Sequence, residues 1–135
     1  MTWFNPRVGL MQMKQAITLV AICSVWAGCS SGDITSPNQI VFPTSNVSFS
    51  AQVEPYLTIA CSMTGCHDGS ATTAGGIDLT HYYGVLNEVS RPGDTLTSEL
   101  VEVMYSRVNH PGVIVANDNQ RNGIKVWVLE GAKNN

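Results

Sequence analysis

The chain has 135 residues, of which 44% are hydrophobic and only 13% charged, and its formal charge at pH 7 is −3. This length suits one domain and leaves little room for a second. The acidic balance argues against a nucleic-acid partner, because phosphate recognition needs a basic surface. Two features remain informative: an apolar stretch near the N-terminus, and a group formed by Cys61, Cys66 and His67.

The first predicted element is a signal peptide of the lipoprotein type over residues 1–28. Lys14 precedes the apolar run Ala16–Ala27, which has the length of about 7–15 residues typical of a secretory signal. A membrane span needs ~20 apolar residues. Small residues directly before Cys29 resemble a bacterial lipoprotein cleavage box, although Trp26 departs from it. We predict export and a lipid anchor on Cys29, on the periplasmic or cell-surface side of a bacterial membrane; plain secretion is the alternative.

Residues 29–46 are predicted to form a flexible tether, since their many Ser, Thr, Asn, Pro and Gly residues bury little surface. Ile40–Phe42 is the exception and is expected to lie against the domain. The folded domain is then 47–135, a size at which a disulfide, a metal or a buried cofactor usually supplements the core. Without the leader, five Lys and Arg face ten Asp and Glu, a charge of −5.

Apolar periodicity in this domain predicts about four helices and no confident sheet, so the predicted fold class is all-α. Gly123 precedes Trp127 by one turn, and its missing side chain is expected to let another helix approach closely. The predicted elements are a helix over Phe49–Ala60 that becomes regular near Pro55, a helix over Asp78–Val89, a helix capped by Thr97, and a helix capped by a box between Asn117 and Gln120.

Cys61, Cys66 and His67 are the chemical centre of the sequence. Two cysteines followed at once by a histidine are typical of c-type haem attachment, in which the thiols bond the haem vinyl groups and the histidine ligates the iron. Four residues separate these cysteines, whereas the usual spacing is two residues. The additional residues must bulge outward, and Gly65 supplies the backbone freedom for that.

Three other interpretations fit the same residues. Cys61 and Cys66 could form a disulfide, which is natural in an exported chain but closes only a small loop. They could bind zinc or copper together with His67, although a zinc site normally has a fourth ligand. The third interpretation is a chance juxtaposition of a histidine and a cysteine.

The flanking sequence resembles small exported bacterial cytochrome c domains over roughly residues 47–135. That family includes members with the four-residue gap ending Gly-Cys-His-Asp, as at Gly65–Asp68. The resemblance implies a compact cytochrome c-like fold around one covalent haem c, with Cys61 and Cys66 as thioether sites and His67 as proximal iron ligand. The other similar stretches are Phe49–Pro55, Gly76–Thr80, Pro92–Asp94 and Val126–Asn135.

The distal iron ligand is where this sequence departs from the family. The family usually places a methionine and a proline before its last helix, and here that place holds His110 and Pro111, seventeen residues before Trp127. His110 is therefore the leading candidate, which would give bis-histidine iron; an exposed loop histidine is the alternative. Met104 is the second candidate ligand, although a methionine on an apolar helix face is more often core filler.

The resemblance implies a metal-binding electron-transport protein rather than an enzyme. Iron with both axial positions filled offers no open site for a substrate, so its chemistry is one-electron transfer with redox partner proteins. A haem-based sensor or binding module is one alternative, and it would need an easily displaced ligand. A structural disulfide or zinc lipoprotein is the other.

Overall fold

A computed structural model of the protein describes residues 33–70, 75–106, 109–111 and 115–135. The predicted signal peptide and Cys29 lie outside these residues. Ile34–Asn135 forms one compact unit. Its described part is all-α, as predicted: it contains no β-strand, only an isolated antiparallel bridge between Asp68 and Asp78. Within the same described ranges, no helix has the length and apolar character needed to cross a membrane.

Four α-helices follow two short helical turns. The predicted first helix is correct in extent, but it opens with a π-helical turn. Pro55 lies in the first turn of the α-helix that follows, where its missing N–H costs no hydrogen bond. Pro111 and Val115 are also helical. The elements are a 3-10 turn at Pro37–Gln39, a π-helical turn at Phe49–Val53, and the helices α1 (Glu54–Ala60), α2 (Tyr82–Val89), α3 (Glu99–Tyr105) and α4 (Asp118–Leu129).

Two predicted helix starts are wrong, both for local reasons. The second helix begins at Tyr82 because the Asp78 carboxylate accepts hydrogen bonds from the backbone N–H and the hydroxyl of Thr80, at 2.9 and 2.6 Å. That turn competes with helix formation. The third helix is capped by Ser98 instead of Thr97, since the Ser98 hydroxyl accepts from the N–H of Val101 at 3.3 Å.

The capping box of α4 is confirmed. The Asn117 side chain accepts from the N–H of Gln120 at 3.1 Å, and the Gln120 side chain accepts from the N–H of Asn117 at 3.0 Å. The apolar stripe of this helix, which includes Ile124, Trp127 and Val128, is fully buried. This helix therefore begins where the sequence predicts and presents the predicted face to the core.

Gly123 is a point of close approach, but its neighbour is a loop residue and not another helix. A Cβ at Gly123 would overlap the ring of Phe42. Phe42 belongs to a segment that we call the strap, residues 37–47. Asn119 holds the strap by accepting from the Phe42 N–H and donating to the Phe42 carbonyl, both at 2.9 Å. The expectation that residues 40–42 lie against the domain is correct for the two buried residues, Ile40 and Phe42, whereas Val41 is 71% exposed.

Aromatic side chains join the strap and the helices into one core. The Phe42 ring lies edge-on to Tyr56 with centroids 5.7 Å apart. Phe49 meets Tyr82 edge-on at 5.2 Å and Trp127 at 5.7 Å. The Trp127 indole donates to the Lys133 carbonyl at 3.0 Å. This packing fixes α1 and α4. The walls of a cavity come from α2, α3 and the loop after α1.

Candidate cofactor site

The loop between the two cysteines is organised by its own backbone. Cys61 ends α1, and its carbonyl accepts from the N–H of His67 at 3.2 Å. Gly65 has φ +82°, the conformation predicted for it. Met63, between the cysteines, is 50% exposed. The additional loop residues thus bulge outward, while both ends of the motif are tied together.

A second turn fixes the far side of this loop. The His67 carbonyl accepts from the N–H of Leu79 at 2.9 Å, and the residues that follow His67 pair with Asp78 in the isolated bridge. The Asp68 carboxylate accepts from the hydroxyl and the N–H of Ser70 at 2.7 and 3.0 Å. These hydrogen bonds, with the hydroxyl contributing most, hold the pKa of Asp68 below its usual value. Both aspartates therefore orient loops around His67.

His67 opens onto a cavity of about 490 Å³, its open mouth included. Cys61, His67 and His110, three of the four predicted cofactor residues, line the cavity together, and so does Met104; Cys66 is not among the lining residues. The remaining walls come from Ile77, Leu79, Glu88, Glu99, Leu100 and Val103.

The two histidines face each other across this cavity. Their ring centroids are 6.0 Å apart and their planes differ by 27°. Nδ1 of His67 is buried and has no hydrogen-bond partner among the described residues. An unpaired buried polar atom costs about 1–3 kcal/mol. A buried imidazole of this kind, a second imidazole opposite and apolar walls are a donor set that fits haem iron.

The two cysteines are free thiols and are not joined as a disulfide. Burial, reinforced by the neighbouring Cys66, raises the pKa of the Cys61 thiol to about 12. Cys61 is therefore a protonated thiol at neutral pH when no metal is bound. In the part of the chain that the structure describes, no three His, Cys, Asp or Glu side chains gather closely enough to hold a metal ion by themselves. These observations give the disulfide and zinc interpretations no support.

Two cavity residues, Glu88 and Glu99, were missed by sequence reasoning as parts of a site. Charged residues in short helices are ordinarily solvent-facing, and nothing in the spacing of these two indicates a shared cavity. The third histidine, His81, lies on the surface with its Nδ1 3.3 Å from the Asp78 carboxylate. It is 55% exposed and takes no part in the cavity.

Comparison of the chain with protein-family models, with curated proteins and with solved structures finds no match. The likeness to cytochrome c domains therefore depends on the residues and spacings quoted above, and the function depends on the chemistry of the cavity.

Proposed function

We propose that this protein is a one-electron carrier with a cytochrome c-like fold and a single covalent haem c in the cavity. Cys61 and Cys66 would form the thioether bonds, His67 would be the proximal iron ligand and His110 the distal ligand. The observation that carries the proposal is the opposition of His67 and His110 across an apolar cavity that Cys61 also lines.

The spacing of the two imidazoles supports a shared metal. Metal–imidazole bonds are about 2 Å long, so two nitrogens on opposite sides of one metal stand about 4 Å apart. Each ring centroid is set further back by roughly the radius of the ring. The stacked rings of His67 and His110, with centroids 6.0 Å apart and planes 27° apart, are close enough for both imidazoles to reach one metal.

Attachment is an addition in which each thiol keeps its atoms in the product. At each thiol a sulfur–carbon bond would form, the vinyl π bond would break and the thiol hydrogen would pass to the other vinyl carbon, so that no oxidant or reductant is consumed. Cys61 is held as a reduced, protonated thiol at the cavity wall, which is the form this addition needs. When bound, the haem supplies one reversible electron.

The remaining residues of the cavity would surround the haem and position the residues that hold it. Leu79, Leu100 and Val103 provide apolar walls, and the carbonyl of His67 is fixed by Leu79. With His67 and His110 as its ligands, a haem iron would offer no open position for a substrate. The chemistry left to the protein is electron exchange with redox partner proteins, without catalysis.

The proposal places this carrier outside the cytoplasm, held to a bacterial membrane by a lipid on Cys29. The support is the apolar run Ala16–Ala27 and the small residues before Cys29. The domain that would face the periplasm or the cell surface is acidic, since ten Asp and Glu outnumber five Lys and Arg from Cys29 onward.

Expression of the full chain in a bacterium with a haem-attachment system tests the proposal. We expect a pyridine haemochrome spectrum with two thioether bonds, and an intact mass raised by one whole haem with no loss of hydrogen. The same mass reports whether the mature protein begins at a lipidated Cys29. Cys61→Ala and Cys66→Ala should each lose one thioether bond and shift the haemochrome band.

Thr64→Ala is the matched control, because Thr64 is an exposed residue of the same loop. It should keep the wild-type spectrum and mass. A protein that leaves the cell without haem, or whose mass falls by two hydrogens because a disulfide has formed, would refute the haem assignment.

A further inference from the structure

Two carboxylates reach the cavity from different helices. Glu88 lies near the end of α2, and Glu99 is the first residue of α3. Both line the cavity together with His67 and His110, and both side chains are half-buried. Every other lining residue is apolar, a sulfur-containing residue or one of these two histidines. Among the described residues, the acidic groups of the cavity wall are therefore these two, one from each of the two helices.

A negative charge beside a redox-active iron favours the oxidised state. Oxidation adds one positive charge to the centre, and a nearby carboxylate stabilises that added charge. Half-burial matters here, because water screens a partly buried charge less than an exposed one. The effect lowers the reduction potential without any contact between the carboxylate and the iron.

We propose that Glu88 and Glu99 set the reduction potential of this centre below the value that its axial ligands alone would give. The inference rests on the proposed function, since it needs haem iron in the cavity. Glu99 also lies in the first turn of α3, where a negative charge interacts favourably with the helix dipole and stabilises the helix. The midpoint potential separates the two roles, because a purely structural role would change stability and leave the potential where it was.

Glu88→Gln, Glu99→Gln and the double variant test the inference by potentiometric titration of the haem-loaded protein. Each single variant should raise the midpoint potential, and the double variant should raise it further. Glu102→Gln is the matched control, because Glu102 is an exposed carboxylate in the same turn of α3 and does not line the cavity. It should leave the potential unchanged.

The outcomes distinguish this inference from the proposed function. A wild-type protein without covalent haem would overturn both. A normal haemochrome spectrum with unchanged potentials in both cavity variants would overturn only the role of the carboxylates. An equal shift in Glu102→Gln would also overturn it, because the effect would then come from surface charge in general.

Discussion

At the scale of single residues, the proposed haem site depends most on His110. Its ring faces His67 at 6.0 Å, and a thioether ligand in its place would raise the potential of the iron. We therefore expect a wild-type centre that is six-coordinate and low in potential. His110→Ala should either open the distal position, so that the reduced protein binds carbon monoxide, or let Met104 take it, so that the potential rises.

Met104→Ala and His81→Ala are the comparison variants for this prediction. Met104 lines the same cavity and is 2% exposed, so its loss tests the second candidate ligand directly. His81 lies on the surface, and its removal should change neither spectrum nor potential. A wild-type potential typical of histidine–methionine iron, unmoved by His110→Ala and altered by Met104→Ala, would reverse the ligand assignment. Carbon monoxide binding by the wild-type protein would favour the alternative function, a haem-based sensor.

At the scale of elements, α4 and the strap depend on the absence of a side chain at Gly123. A Cβ there would overlap the Phe42 ring. The Asn119 side chain fixes the backbone of Phe42 through two hydrogen bonds, to its N–H and its carbonyl. Gly123→Ala should lower the free energy of unfolding by about 1–3 kcal/mol, the usual cost of overpacking a core. Chemical denaturation of the haem-loaded protein measures this change.

A double-mutant cycle identifies the cause of that loss. Phe42→Ala removes the ring that a new Cβ would meet, so Gly123→Ala should cost much less in its presence than alone. The interaction would be disproved if the two losses simply added, since Gly123 would then have no special relation to Phe42. In that case the loss of stability in Gly123→Ala would arise within α4 itself.

The contrast between α4 and α2 shows why only part of the fold can be predicted from the sequence. The capping box of Asn117 and Gln120 is a local interaction, so the start of α4 is encoded within four residues. The start of α2 depends on Asp78, which turns back on Thr80 and pairs with Asp68. That pairing joins residues ten positions apart in the chain, and helical periodicity does not reveal it.

The candidate site divides in the same way. Cys61 and His67 are recognised by their spacing, and the structure brings them to one cavity. His110 is found only through its position relative to Trp127 in the family resemblance. The approach of Glu88 and Glu99 depends on the packing of α2 against α3, a tertiary relation that the pattern of neither helix contains.

At the scale of the whole molecule, acid should destabilise the domain through its turns. Hydrogen bonds lower the pKa of Asp68, Asp78 and Asp94, with Ser70, Thr80 and Leu96 as the first contributors. A carboxyl whose pKa is lower in the folded state stabilises the fold above its unfolded pKa of about 3.9. That contribution disappears as the pH falls through the folded value, because the unfolded chain then binds more protons.

The double variant Ser70→Ala with Thr80→Ala isolates this effect, since it removes the hydroxyl donors and keeps the carboxylates. The pKa of Asp68 and of Asp78 should move back toward the usual value. The variant should then be less stable than wild type at neutral pH and should lose less stability between neutral pH and about pH 3. Thermal unfolding of both haem-loaded proteins over that range measures how steeply the stability of each one changes with pH.

Thr58→Ala is the control, because it removes an exposed hydroxyl on α1. Its stability should change with pH as steeply as that of the wild type. An unchanged slope in the double variant would show that the acid response arises elsewhere, from the charge of −5 carried from Cys29 onward or from the proposed iron ligands.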